Sequence, residues 1–161
     1  MTDRVNQILQ NEQYLLHREK ISLHEAGRVF CHHDMGHFLD VARIAMILNE
    51  KENYGIGDEM IYAAALLHDI GRWQQYETGA DHALVSASLA PEILVACGFS
   101  QAERELVISA IATHRDQSVA EQKNLNGLLY RADKLSRPCF ACSQQEACNW
   151  KGEKKNLLLR F

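Results

Sequence analysis

Ile61-Tyr62-Ala63-Ala64-Ala65-Leu66-Leu67-His68-Asp69-Ile70-Gly71-Arg72-Trp73 is the stretch on which the reading of this chain turns. Small and aliphatic side chains from Ile61 to Leu67 make a helix suited to complete burial. That helix ends in an imidazole beside a carboxylate, with Gly71 two residues on. Two metal-ligand types are thereby placed at the edge of a core, where water reaches them. The plainer alternative is a buried His satisfied by its neighbouring Asp. The pair alone leaves both open, and the choice depends on partners elsewhere in the chain.

Composition sets the frame. The 161 residues fit one domain, and 47% hydrophobic content supplies a core. Two prolines and nine glycines argue against low complexity. A net charge of −4 without a long basic run argues against a duplex nucleic acid partner. No apolar run approaches the ~20 residues of a membrane span, and Met1–Gln7 lacks a signal-peptide core. The expectation is a soluble cytoplasmic protein whose five cysteines are thiols or metal ligands rather than disulfides.

Working outward, every segment reads as helix, loop or turn, with no alternating strand. A helix is expected over 2–19, with Val5, Ile8, Leu9, Leu15 and Leu16 as its apolar stripe. Ser22 and Glu25 have capping-box spacing and predict a second short helix to about Phe30. Asp34 caps a helix over 35–52, and Asp58 caps the helix that ends at His68. Residues 71–80 read as a loop with glycines at 71 and 79. A helix follows over 81–97, either kinked or restarted at Pro91, with Gly98 as its left-handed end. Ser100 and Glu103 box the start of a helix to about His114, and 115–124 reads as polar and exposed. Residues 125–136 form a helix burying Leu125, Leu128, Leu129, Ala132 and Leu135, ended by Pro138. The fold expected is a single all-α helical bundle of six or seven helices, with a core over 22–137 and a cysteine-containing tail over 138–161.

Candidate partners for His68 and Asp69 then line up. His37 stands near the start of its helix. Asp133 sits among leucines, where a carboxylate is costly unless something neutralises it. Two imidazoles and two carboxylates suit Mn, Fe, Co, Ni or Zn better than Ca. His82 and His114 stand at helix ends, where a capping histidine is the plain reading. With the other four they offer ligands for a second ion, with Asp69 able to bridge.

His37 in His-Phe-Leu-Asp-Val-Ala-Arg-Ile-Ala, the doublet in Ala-Leu-Leu-His68-Asp69-Ile-Gly-Arg, and Asp133 in Tyr-Arg-Ala-Asp-Lys-Leu-Ser together resemble the HD-domain superfamily of metal-dependent phosphohydrolases. The resemblance spans roughly residues 30–137. It implies an all-helical fold, one or two divalent ions, and hydrolysis of a phosphate ester or anhydride of a nucleotide or another small phosphorylated metabolite. His82 and His114 fall where dinuclear members carry extra ligands. No Gly-Tyr-Pro segment follows the doublet, unlike the cyclic-dinucleotide phosphodiesterase branch. Asp69 is the candidate catalytic residue, with Arg72 offering its guanidinium fork to a phosphate. His33, four residues before His37, reads as a further substrate or metal contact, whereas Asp34 is a cap. Lys134 and Arg137 are weaker substrate candidates, with simple surface charge as the plainer reading of each.

Cys139, Cys142 and Cys148, with Cys31 as a fourth, have spacing that suits a second site in the tail for Zn or an iron–sulfur cluster. Plain thiols are the alternative, and Cys97 reads as a buried helix end. Rival functions are a di-iron HD-type oxygenase and a non-catalytic nucleotide-sensing module. The oligomeric state stays open, with a homodimer among the expectations.

Overall fold

A computed structural model describes residues 3–161; the helix start expected at residue 2 lies outside the described residues. Eight α-helices account for the described chain: α1 (Asp3–Gln10), α2 (Glu12–Glu25), α3 (Met35–Glu52), α4 (Asp58–Leu67), α5 (Arg72–Thr78), α6 (His82–Ala96), α7 (Gln101–Thr113) and α8 (Leu125–Leu135). Three short 3₁₀ turns lie at Gln117–Val119, Cys139–Ala141 and Gly152–Lys154. No strand occurs among the described residues, as the all-α expectation requires. No described helix is long and apolar enough to cross a membrane.

The core is built around α4. Ala63, Ala64, Ala65, Leu66 and Leu67 are each wholly buried, so neighbours approach this helix on every side. α3 packs on α4 and α8, α7 packs on α6 and α8, and α4 touches α1, α6, α7 and α8. Small side chains on α4 let those helices come close. Burying Phe38, Val41, Ile93, Leu94, Ile111 and Leu128 around it removes their apolar surface from water, at ~1.5–3 kcal/mol for a fully buried large side chain.

The helix ends follow local chemistry. Asp34 Oδ1 accepts from the His37 N–H at 3.0 Å, and Ser100 with Glu103 forms the expected capping box. Asn53 closes α3 in the left-handed region. Pro91 lies within α6 without ending it. Gly98 takes a φ of 77° after α6, which a residue without Cβ tolerates.

Several sequence expectations need correction. The 2–19 helix is two helices. Asn11 is extended, and its side chain accepts from the N–H groups of Gln13 and Tyr14, so α2 starts afresh there. Leu15 and Leu16 are 44% and 42% exposed rather than part of the buried stripe. Ser22 opens no helix, because it lies inside α2, and Glu25 turns inward instead of capping. Gly57, not Asp58, is the N-cap of α4. Leu135 is only partly buried. Val119 is buried within the otherwise exposed 115–124 segment, and that segment lies so close to α8 that a Cβ on Gly127 would meet Gln122 O at 2.1 Å.

The expected 71–80 loop is largely the helix α5. Seven residues are too few to hold a helix in isolation. Here tertiary contacts do so: Trp73 stacks on His17 of α2 and donates to its Nδ1 at 3.2 Å, Lys20 sits over the Trp73 ring, and Tyr76 donates to Glu25 at 2.7 Å.

Candidate metal centre

Five elements bring the candidate ligands to one place. α3 carries His37 in its first turn, the end of α4 carries His68 and Asp69, the start of α6 carries His82, and the end of α7 carries His114. Asp133 comes from α8. Ligand atoms of His37, His68, Asp69 and Asp133 lie within 4.8 Å of one another, as do those of Asp69, His82 and His114. All six residues are buried. Asp69 belongs to both groups. Its Oδ2 lies 3.1 Å from His68 Nε2 and 3.5 Å from His37 Nε2. Its Oδ1 lies 3.1 Å from His82 Nε2 and 3.4 Å from His114 Nε2.

Each imidazole is fixed by a partner on its other nitrogen. His68 Nδ1 donates to Ala65 O, and His114 Nδ1 to Ile111 O, both at 2.7 Å. These are carbonyls one turn back in each histidine's own helix, so the helix end itself sets the tautomer. Ser136 Oγ uses its hydrogen on Asp133 O at 2.7 Å, and therefore accepts from His37 Nδ1 at 3.3 Å. His82 Nδ1 lies 2.5 Å from Gln75 Oε1 and 2.9 Å from Arg72 Nη1; as the Nδ1–H tautomer it donates to Gln75, whose Oε1 also accepts from Arg72 Nη1 at 3.1 Å. In neutral form, all four rings then turn an Nε2 lone pair toward the carboxylates.

Lone pairs facing lone pairs require a positive charge between them. Asp69 Oδ1 and Asp133 Oδ1 are buried without a hydrogen-bond partner, which a structure rarely tolerates. A proton can supply part of the charge. Burial disfavours the His68 imidazolium, yet Asp69 and Asp133 outweigh it and pull that pKa up to about 10. Desolvation likewise opposes ionisation of the two aspartates, but His68 and His33 beside Asp69, and Lys134 and His37 beside Asp133, hold both well below the ordinary range. A divalent transition cation meets the same demand more fully, and this N/O donor set fits one.

The residues expected to face substrate also converge. Arg72, His33, Lys134 and Arg137 all line a cavity of about 1020 Å³ that opens onto five of the six candidate ligands, His37, Asp69, His82, His114 and Asp133. Lys134 is engaged by Asp133 Oδ2 at 2.8 Å, so it balances the centre as much as it faces the cavity. Arg137 Nη2 stands 3.9 Å from Asp133 Oδ1. Arg28, Arg115 and Lys155, which the sequence reading passed over, line the cavity too.

His33 stands apart from both ligand groups, its Nε2 3.8 Å from Asp69 Oδ2. Its other side rests on Glu25, which accepts from the His33 backbone N–H at 2.7 Å and from Nδ1. Glu25 and Tyr76 were missed in the sequence. Seven residues of turn and coil separate Glu25 from His33, so no periodicity connects them.

The tail cysteines are placed differently. Cys31, Cys139, Cys142 and Cys148 all reach the cavity wall, but their sulfurs form no metal-sized group among the described residues. All are free thiols, and Cys142 Sγ accepts from Gln144 N in a local turn. The tail is held by amides instead. Asn156 Nδ2 donates to Lys134 O at 2.7 Å and Arg137 O at 3.0 Å, and Gln145 Nε2 to Cys139 O at 2.6 Å.

Comparison with known proteins follows the same lines. The family model of the HD domain matches residues 35–137. An uncharacterized protein of Clostridium beijerinckii is 42% identical over 159 residues, 99% of each chain. Ribonuclease Y 1 of Pediococcus pentosaceus is 33% identical over 104 residues, covering 63% of this chain but 18% of that protein. The crystal structure of a predicted HD superfamily hydrolase from an uncultured Thermotogales bacterium superposes with a TM-score of 0.61 at 29% identity, covering 77% of this chain and 66% of that one.

Proposed function

The chain belongs to the HD-domain family, and from that premise we propose that it is a metal-dependent phosphohydrolase. Its substrate is a phosphate ester or anhydride of a nucleotide or another small phosphorylated metabolite. The observation that carries this reading is Asp69: one buried carboxylate whose two oxygens face two separate sets of imidazole nitrogens.

His37, His68, Asp69 and Asp133 would hold one ion, and Asp69, His82 and His114 a second. A bound divalent cation lowers the pKa of water toward neutrality and acts as a Lewis acid toward a phosphoryl oxygen. The protein's own groups do the rest, since phosphoryl transfer needs positioning and charge neutralisation more than covalent chemistry. Arg72 follows Asp69 by three residues at the start of α5. Gln75 accepts from its Nη1 at 3.1 Å, and Tyr76 OH from its Nε at 3.3 Å. Held in this way, the guanidinium is set against the cavity to receive a phosphate. Arg137 and Lys134 add positive charge on the opposite, α8 side, and the cavity's size leaves room for more than a bare phosphate.

The test is a panel of phosphate esters, phosphodiesters and nucleotides, assayed with Mn, Co, Ni and Fe after chelator stripping. Metal-dependent phosphate release sustains the reading. Iron occupancy with oxygen consumption and no phosphate release would move it to the oxygenase chemistry that a shared Asp69 also accommodates. Nucleotide binding without turnover of any ester would make the chain a sensing module.

A further inference from the structure

We infer that Glu25 is a positioning residue for the reacting centre: it holds His33 as the Nδ1–H tautomer and aims the Nε2 lone pair at the space in front of Asp69. The inference rests on the hydrolytic reading above for its activity readout, and has a second readout that does not.

Three donors converge on the Glu25 carboxylate. The His33 backbone N–H donates to Oε2 at 2.7 Å, the His33 ring donates to Oε1, and Tyr76 OH donates to Oε1 at 2.7 Å. Glu25 is 2% exposed and His33 6%. A simple tie between α2 and the 26–34 segment would need only the bond to the backbone. The bond to the ring lies opposite Nε2 and fixes where that nitrogen points. Nε2 ends 3.8 Å from Asp69 Oδ2, outside both ligand groups. From there it can accept a hydrogen bond from water or from a hydroxyl of the substrate.

The choice of partner is informative. Of the five imidazoles around the centre, His37, His68, His82 and His114 lean on a hydroxyl, a carbonyl or an amide oxygen. His33 alone among them leans on a carboxylate. Burying a carboxylate against a neutral ring is expensive unless further donors satisfy it, and the backbone N–H and Tyr76 do so here. A charged acceptor on Nδ1–H strengthens the lone pair on the opposite nitrogen, as carboxylate partners do for ligating histidines. Tyr76 in turn accepts from Arg72 Nε at 3.3 Å. The run His33–Glu25–Tyr76–Arg72 therefore ties the acceptor nitrogen to the phosphate-facing guanidinium. Glu25 and His33 both precede residue 35, where the family match begins.

The experiment compares wild type with Glu25→Ala and Tyr76→Phe as zinc-loaded full chains, zinc being diamagnetic. Side-chain nitrogen NMR reads the His33 tautomer, and steady-state kinetics with a turned-over ester reads kcat and KM. The expected result is Nδ1 protonated and Nε2 bare in wild type. In Glu25→Ala that preference is lost and kcat falls about 10–100-fold, the range for second-sphere partners of site histidines, with KM and zinc content little changed. Retention of the tautomer, or of full kcat, overturns the inference. Should Glu25→Ala lose its helical circular dichroism, Tyr76→Phe decides: a severalfold fall in kcat at unchanged zinc content sustains it, and unchanged kcat overturns it. If wild type hydrolyses no ester, the hydrolytic reading fails, while the tautomer measurement still judges what Glu25 does.

Discussion

The histidine centre and the cysteine tail offer the same kind of sequence signal with opposite outcomes. Both present metal-ligand residues at suggestive spacings. The histidines are mounted at or near the ends of packed helices, and each has its second nitrogen held by a carbonyl, a hydroxyl or an amide oxygen. Cys139, Cys142 and Cys148 lie after α8 in a stretch whose regular structure is one three-residue turn, and the tail is fastened by Asn156 and Gln145 rather than by sulfur. A site is made by the scaffold that aims its ligands. Spacing alone does not gather four thiols when no helix pair brings their backbones together.

The strongest test of this contrast is Asp69→Ala, which removes the carboxylate common to both ligand groups. Metal-dependent hydrolysis should fall by roughly 10³-fold or more, several kcal/mol at 1.36 kcal/mol per tenfold, while the helical circular dichroism signal persists. Full activity in that variant would refute the assignment.

Gly71→Ala probes how far the scaffold aims the ligands. A Cβ there would meet Ser86 N and Val85 Cγ1, each at 2.6 Å, so α6 must shift and carry His82 with it. A loss of ~1–3 kcal/mol in unfolding free energy is expected, together with weaker loading of the second ion than of the first. Equal loading by metal titration would show that α6 is not what positions that group.

Glu25 gives a pH handle. Desolvation raises its pKa, but bonds from His33 and Tyr76 outweigh that and bring it down from 4.5 to about 2. A depressed carboxylate stabilises the fold above its unfolded pKa and loses that contribution as pH falls through the folded one. Thermal stability should therefore drop between about pH 4.5 and 2, and Glu25→Gln should flatten that slope. An unchanged slope would mean that other carboxylates, such as Glu103 beside Arg4, set acid stability.

The smallest effect belongs to the tail. Replacing Cys139, Cys142 and Cys148 together by Ser should leave metal content unchanged by elemental analysis. Loss of an ion on that replacement would restore the tail site and erase the contrast.

Much of the centre was legible because its signals were local. Asp34, Ser100 and the apolar run before His68 announce helix ends, and a carboxylate at Asp133 among leucines announces a buried need for charge. Arg72 could be singled out because it follows Asp69 by three residues. α5 was not legible, since seven polar and aromatic residues form a helix only against α2 through Trp73 and Tyr76. Glu25 was misread because Ser22 and Glu25 have capping-box spacing, and only the fold turns that side chain away from the helix start toward His33.

The sequence by itself determined the helical class, the buried character of α4 and the identity of the six candidate ligands, because each depends on side-chain type and short-range periodicity. Tertiary structure alone decided that His68 and Asp69 stand amid four other candidate ligands, that the tail thiols form no such group among the described residues, and that a fifth imidazole is braced by Glu25. Those outcomes depend on where helices distant in sequence come to rest, and packing around the small side chains of α4 sets those positions. Through that packing the His68–Asp69 doublet, which alone could have been an ordinary satisfied pair, supplies in Asp69 the shared corner of two candidate ligand groups.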